Sequence, residues 1–257
     1  MDEKELIENI TKEVISKLSA EGGNDNSGSS KTVMLPGELA KYIDHTLLKP
    51  DATANEIDKL CAEAKEHGFC SVCVNTTWAE RCSKNLSGTD VKTCVVVGFP
   101  LGAMNSRSKS FEARHAIEDG ANEIDMVMNI GALKSGDTEA VEEDVRWVLR
   151  ACGQRTILKV IIETALLTNE EIVLACQICK KAGAHFVKTS TGFSTAGATP
   201  EHVALMRKTV GADTGVKAAG GVRTFEDAVR MIEAGATRLG TSGGIKIISG
   251  QTIESGY

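Results

Sequence analysis

Apolar and polar positions follow two different rhythms along this chain. From about Leu35 onward, short apolar or β-branched runs alternate with longer stretches whose apolar residues recur at spacings of three and four. The runs are YIDHT, CSVCVN, VKTCVVVGFP, NEIDMVMN, ILKVIIET, HFVKTS, TGVKAAGG and TRLGTS, which makes eight candidate strands. Helical patterns lie between them at 55–67, 106–119, 137–151, 169–182, 200–210 and 224–234. Several of these end in glycine where a helix C-cap belongs, at Gly68, Gly120, Gly183, Gly211 and Gly235. A phrase of helix, Gly, Ala and strand recurs as DGANEIDMV, AGAHFVKTS and AGATRLGTS. Successive strands are about one βα unit apart. Eight such units in series predict an α/β protein, a closed (β/α)8 TIM barrel over residues 35–250, rather than an open doubly wound sheet. YIDHTLLKP opens no GxGxxG helix, so the dinucleotide-binding alternative lacks its main support.

Residues 1–18 stand apart. Leu6, Ile7, Ile10, Val14, Ile15 and Leu18 form one stripe of an amphipathic helix. The stretch SAEGGNDNSGSSKT that follows has the composition of a flexible linker, assigned to residues 19–34. A helix this short is marginal alone in water, so its stripe calls for a partner surface: its own barrel, a sister subunit or another protein. Residues 251–257 read as a flexible tail.

Composition narrows the class. A net charge of -6 argues against a nucleic-acid surface. There is no run of 18 apolar residues to cross a membrane and no signal-type apolar segment behind the acidic N-terminus, so a cytoplasmic protein is expected. Eight cysteines include two CxxC pairs, Cys70 with Cys73 and Cys176 with Cys179. Neither sits between Gly-rich knuckles. Reduced thiols packed as small apolar groups are the expectation, with zinc or redox work as the alternative.

Four strands place a charge where an apolar side chain would pack. Lys188 lies in HFVKTSTGF, Lys217 in TGVKAAGGV, Asp125 in NEIDMVMN and Asp44 in YIDHT. A lysine in mid-strand is costly to bury unless it is paired or neutral. One alone is compatible with an internal salt bridge; two on adjacent strands beside inward acids suggest chemistry, with a purely structural charge network as the alternative. A lysine is a poor nucleophile while protonated, and a neighbouring ammonium lowers its pKa, the route to a Schiff-base lysine. Asp125 would then move protons during C–C cleavage. Gly-rich turns, AAGGVRT after the seventh strand and GTSGG after the eighth, fall where barrels of this kind bind phosphate.

Together, YIDHTLLKP, VCVNTTW, VVVGFPLGA, EIDMVMNIGALKSG, KVIIET, FVKTSTGF, VKAAGGVRT and RLGTSGG resemble the deoxyribose-phosphate aldolase family, over about 35–244. The resemblance implies reversible cleavage of 2-deoxy-D-ribose 5-phosphate to glyceraldehyde 3-phosphate and acetaldehyde, without metal or cofactor. It implies Lys188 as the Schiff-base nucleophile, Lys217 as its partner in proton transfer, and Asp125 as the acid/base residue working through water. Asp44 and Lys159 match supporting polar positions, and Cys73 matches a cysteine near the substrate with no required role. Gly192, Gly220, Gly221, Gly240, Ser242 and Gly243 match the phosphate-binding rim. It also implies a phosphorylated deoxysugar and small aldehydes as partners, and a homodimer is expected as for many such barrels.

Two departures from that family stand out. Some members carry a lysine after TSTG where this chain has Phe193, so Arg223 or another group would have to supply charge at the phosphate. The family core does not need residues 1–32, whose helix-plus-linker layout resembles encapsulation peptides that bind shell proteins of bacterial microcompartments. Tyr257 would be able to reach back over the barrel mouth. The five histidines show no HxH or HExxH spacing, and His45, beside Asp44, reads as structural. Competing readings are another Schiff-base aldolase or transaldolase for a longer sugar phosphate, and a non-catalytic sugar-phosphate sensor or scaffold. The last would be expected to lack Lys188 or Asp125.

Overall fold

In the computed structural model, residues 34–252 are described. The expected docking helix at 1–18, the linker up to residue 33 and Tyr257 lie outside the described residues. A short helix α1 (Pro36–Ala40) leads into β1 (Ile43–Leu47), α2 (Ala54–His67), β2 (Ser71–Val74), α3 (Ala79–Asn85) and β3 (Lys92–Val97). Then come α4 (Ser106–Glu118), β4 (Glu123–Val127), α5 (Ile130–Lys134), α6 (Thr138–Cys152), β5 (Ile157–Ile161), α7 (Asn169–Ala182) and β6 (Phe186–Lys188). The chain continues through α8 (Pro200–Val210), β7 (Gly215–Ala219), α9 (Phe225–Glu233), β8 (Arg238–Thr241) and α10 (Gly244–Ile248).

The eight strands pair in parallel and in sequence order, and β8 closes on β1. All eight expected strands form, and the six expected long helices are present within a residue or two. The helices α1, α3, α5 and α10, of five to seven residues, had no counterpart in the sequence reading. Two turns or fewer are too short for a 3.6-residue period to be recognised.

Local chemistry sets the helix ends. In α2, Thr53 Oγ1 accepts the Glu56 N–H while the Glu56 carboxylate accepts the Thr53 N–H, a reciprocal capping box. Thr168 and Glu171 repeat it at α7. Gly68 ends α2 in the left-handed region at φ 65°, which a residue with a Cβ adopts only under strain.

The core has two parts with different chemistry. Outward strand residues such as Ile43, Val72, Val95, Ile124, Val160, Val187, Val216 and Leu239 meet the helices in one large apolar cluster. Inside the barrel, Leu48, Cys73, Cys94 and Val96 form a small apolar cluster with Phe99 against it. Charged side chains share the interior with it, because alternation along the strands turns Asp44, Glu123, Asp125, Lys159 and Lys217 inward.

Candidate active site

Every charged residue flagged in the strands points into the barrel. Asp44 on β1, Asp125 on β4, Lys159 on β5, Lys188 on β6 and Lys217 on β7 are all buried. Register places Asp125 beside Lys159, and Lys188 beside Lys217. Asp125 is the hub. Its Oδ2 accepts from Lys188 Nζ at 2.8 Å and from Lys217 Nζ at 2.7 Å, and its Oδ1 accepts from Lys159 Nζ at 2.7 Å. Lys217 also forms an ion pair with Asp44.

A lower tier supports this one. Arg238 on β8 donates to Asp44 Oδ1 at 2.8 Å and to Glu123 Oε2 at 2.9 Å, and Ser71 donates to Asp44 Oδ1 at 2.7 Å. Lys159 reaches Glu123 at 2.6 Å, which ties the tiers together. Glu123 and Arg238 were not singled out in the sequence. The signal was available, since Glu123 is two residues before Asp125 and so shares its face of β4.

Electrostatics follow from this clustering. Burial by itself would raise the Asp125 carboxyl, but the ammoniums of Lys159, Lys188 and Lys217 outweigh it and hold its pKa well below the usual range. Asp44 is depressed in the same way, with burial opposed by Lys217, Arg238 and Lys159. Burial presses down on Lys217 and on Lys159, yet the facing carboxylates, Asp125 foremost, hold both well above the ordinary lysine value. Lys217 is therefore a fixed ammonium. In the resting site Asp125 is ionised and available only to accept protons or hydrogen bonds.

The thiols separate by environment. Cys176 and Cys179 lie one turn apart on α7 and are fully buried; burial pushes Cys176 well up and Cys179 up to about 12. All eight cysteines are free. In the barrel, Cys73 and Cys94 are register partners, and a hydrogen bond from Cys94 pulls the Cys73 thiol down. Cys94 itself, not noticed in the sequence, lies 3.2 Å from both Asp125 Oδ1 and Lys159 Nζ. Two groups of donors, Cys73–Cys94–Asp125 and Asp44–Cys94–Glu123, converge closely enough to suggest a cation site. The Lys159 ammonium bonds to Cys94, Asp125 and Glu123, so a protein cation already satisfies these donors.

The glycines expected at a phosphate rim lie at the C-terminal ends of β6, β7 and β8. A Cβ on Gly220 would stand 3.1 Å from Gly197 Cα and 3.7 Å from Gly192 Cα, so the turns after β6 and β7 touch backbone to backbone. Thr241 joins the next pair: its hydroxyl accepts the Gly243 N–H at 3.2 Å and faces Val222 O at 3.5 Å. Gly240 sits deeper, within β8, where a Cβ would stand 3.1 Å from Lys217 Cε. Its evident role is to leave room for the Lys217 stem. Beside Ser242 and Gly243 a cleft of about 490 Å³ opens between α2 and α10, with Lys49, Lys59 and Lys246 in its lining. Asp125 and the two lysines that donate to its Oδ2, Lys188 and Lys217, do not line it. His45 points away from the barrel interior, with its Nε2 2.8 Å from Glu63 Oε2.

Comparison with known proteins decides the family. The sequence matches the DeoC/LacD family aldolase profile over residues 38–250. The chain belongs to the DeoC/LacD family of aldolases. Among its relatives in that family, deoxyribose-phosphate aldolase of Streptococcus pneumoniae serotype 19F (strain G54) is 61% identical over 220 residues, 86% of this chain and 100% of the relative. The deoxyribose-phosphate aldolase of Geobacillus sp. (strain WCH70) is 59% identical over 223 residues, 87% and 100% respectively. A solved tetrameric deoxyribose phosphate aldolase from Aeropyrum pernix superposes with a TM-score of 0.78 at 36% identity, covering 83% of this chain and 91% of that one. DeoC/LacD membership thus agrees with the barrel and with the lysine-rich interior reached independently from the residues.

Proposed function

We propose that this protein catalyses the reversible aldol cleavage of 2-deoxy-D-ribose 5-phosphate to D-glyceraldehyde 3-phosphate and acetaldehyde through a lysine Schiff base. The observation that carries this reading is the convergence of Lys188 and Lys217 on one oxygen of Asp125. The named cations at the centre are Lys159, Lys188, Lys217 and Arg238, and the carboxylates are Asp44, Glu123 and Asp125. Lys188 is the better placed to meet a carbonyl: it ends its strand at the mouth, while Lys217 is held between two carboxylates.

In this mechanism neutral Lys188 attacks the aldehyde carbon of the open-chain sugar. The carbinolamine loses water to give an iminium ion. A base removes the proton of the C3 hydroxyl, the C2–C3 bond breaks, and its electron pair flows into the iminium to form an enamine. Glyceraldehyde 3-phosphate leaves. Protonation of the enamine at C2 and hydrolysis release acetaldehyde and restore Lys188. Asp125, acting on a water, and the permanent ammonium of Lys217 organise these proton transfers. The turns holding Gly192, Gly220, Gly221, Ser242 and Gly243 receive the phosphate through backbone N–H groups, as Gly-rich turns do. With Phe193 where a lysine stands in some relatives, the cations lining the neighbouring cleft are candidates to add charge.

Borohydride reduction with acetaldehyde, followed by peptide mass spectrometry, tests the reading. An ethyl adduct on the Lys188 peptide supports it. An adduct on Lys217 would exchange the two lysine roles, and folded protein with no adduct would remove the Schiff base.

Cellular placement is a separate part of the proposal. Eight free cysteines fit a reducing cytoplasm, and no described helix is long and apolar enough to cross a membrane. Residues 1–18 lie before the family match at 38–250, and their apolar stripe suits docking to shell proteins of a microcompartment that retains volatile acetaldehyde. Deleting residues 1–32 should leave activity intact and abolish co-purification with shell proteins; entry of the truncated enzyme into compartments would refute this. The barrel is expected to assemble as a homodimer, which sedimentation distinguishes from a tetramer.

A further inference from the structure

Glu163 has a backbone and a side-chain environment unlike any other acid of the barrel. It lies two residues past the end of β5 and adopts φ 56°, ψ 66°, the one non-glycine residue with positive φ among the described residues. A side chain in that region signals a conformation enforced by its surroundings. Two backbone bonds enforce it here. The Ile162 N–H donates to Lys188 O at 3.0 Å, and the Thr164 N–H donates to Thr189 O at 2.9 Å. Glu163 is thereby clamped beside the strand that ends in Lys188.

Its carboxylate is buried, at 3% exposure, and is spent on one residue. Glu163 Oε2 accepts the Thr191 hydroxyl at 2.5 Å and the Thr191 N–H at 3.2 Å. Thr191 Oγ1 in turn accepts the Phe193 N–H at 3.0 Å. The residue enclosed by these bonds is Gly192, at φ 88°, on the side of the turn that abuts Gly220 and Gly197. One face of the turn is therefore fixed by a carboxylate and the other by the β7 turn. An acid near a phosphate rim is electrostatically unfavourable unless it serves another purpose. Here it faces backwards, into the protein, and holds the turn from behind.

We propose that Glu163 is a positioning residue for phosphate selectivity, fixing the Thr191–Phe193 turn so that Gly192 meets the substrate phosphate in register with Gly220 and Gly221. The inference rests on the reading of these glycines as the phosphate rim. Glu163 contacts neither the reacting carbons nor the phosphate; it acts through Thr191. Burial pushes its carboxyl up, against the Thr191 hydrogen bonds and the Lys188 charge, so this acid is retained at a cost that a bystander would not carry.

The test compares kcat/KM for 2-deoxyribose 5-phosphate with kcat/KM for unphosphorylated 2-deoxyribose in the full chain. In Glu163→Gln and Thr191→Val the ratio should fall by about tenfold or more, chiefly through KM of the phosphorylated sugar, as expected for lost ground-state positioning. The double variant should fall little further, since both changes break one unit. Thr191→Ser keeps the hydroxyl and the N–H and should recover the ratio to within about twofold. If Glu163→Gln does not fold, Glu163→Gly, which is free to adopt φ 56°, replaces it. Equal losses for both sugars, a loss confined to kcat, or no change in the ratio would each overturn the inference. The underlying phosphate reading is checked on the unaltered enzyme. If inorganic phosphate does not compete with 2-deoxyribose and the enzyme does not prefer the phosphorylated sugar, that reading fails and the inference with it. If both hold while the variants keep the ratio, Glu163 alone is refuted.

Discussion

Lys188 and Lys217 are register partners on neighbouring strands, and both ammonium groups donate to Oδ2 of Asp125, at 2.8 and 2.7 Å. Two like charges share one acceptor, and against its burial Lys217 is held well above the ordinary lysine value by the facing carboxylates, Asp125 foremost. Lys217 has the additional hold of Asp44. The asymmetry supports the proposed roles of Lys188 as nucleophile and Lys217 as fixed charge.

Replacing Lys188 by Ala should therefore reduce aldolase turnover by roughly 10⁴-fold or more, with loss of the borohydride-trapped adduct. Lys217→Met should cost about 10²- to 10⁴-fold in kcat, the range for losing a proton-transfer or electrostatic group. In that variant the adduct on Lys188 should still form at high acetaldehyde. A variant lacking Lys188 that retains normal turnover would contradict the assignment.

Asp125→Asn should be harmful twice over. It leaves three ammoniums, those of Lys159, Lys188 and Lys217, without their common carboxylate. Breaking a buried pair from one side typically costs about 3–5 kcal/mol. A urea midpoint equal to that of the unaltered protein would show that water or a second carboxylate has taken over.

The pH dependence of stability follows from the same groups. Asp44 and Asp125 are depressed in the folded state, so their contribution is complete above the unfolded aspartate value of about 3.9 and is lost as pH falls further. Lys159 and Lys217 are raised, so theirs is complete below the unfolded lysine value of about 10.4 and is lost as pH climbs through the higher folded values. Urea midpoints should form a plateau between these limits and decline on both sides. Asp44→Asn should flatten the acid limb; an unchanged acid limb would count against this account.

A second buried pair lies outside the active site. Lys109 Nζ donates to Asp144 Oδ2 at 2.6 Å and to Val127 O at 2.8 Å, and the Asn129 N–H donates to the same Asp144 oxygen at 3.1 Å. This anchors the end of β4, the strand of Asp125, to α4 and α6. Lys109→Met should destabilise by about 3–5 kcal/mol, and adding Asp144→Leu should recover much of the loss, because the isolated charge is the main penalty. Equilibrium urea unfolding of both variants checks this.

Gly240→Ala tests the packing of the catalytic centre. The added Cβ would lie 3.1 Å from Lys217 Cε and 3.1 Å from Ala219 Cβ. Overpacking of this kind costs about 1–3 kcal/mol, and the displaced Lys217 should lower kcat more than it raises KM. Unaltered kcat would mean that the lysine stem has slack.

Sequence by itself determined the barrel, because eight βα units impose a repeat that survives local variation. It also determined which strand residues face inward, since a two-residue period is strict and a charge in an apolar strand is conspicuous. Asp44, Asp125, Lys188 and Lys217 were legible on those grounds, and Lys159 by family resemblance alone. Only the tertiary structure decided how they pair. Lys159 and Glu123 meet from neighbouring strands, and Arg238 reaches Asp44 across the seam where β8 closes on β1. Distances of that kind depend on how the sheet tilts and closes, which no local pattern encodes. The same holds for Glu163, whose residue type in IIET carries no mark of its left-handed backbone. Its conformation is imposed by hydrogen bonds from the next strand, contacts that arise only once the barrel has formed.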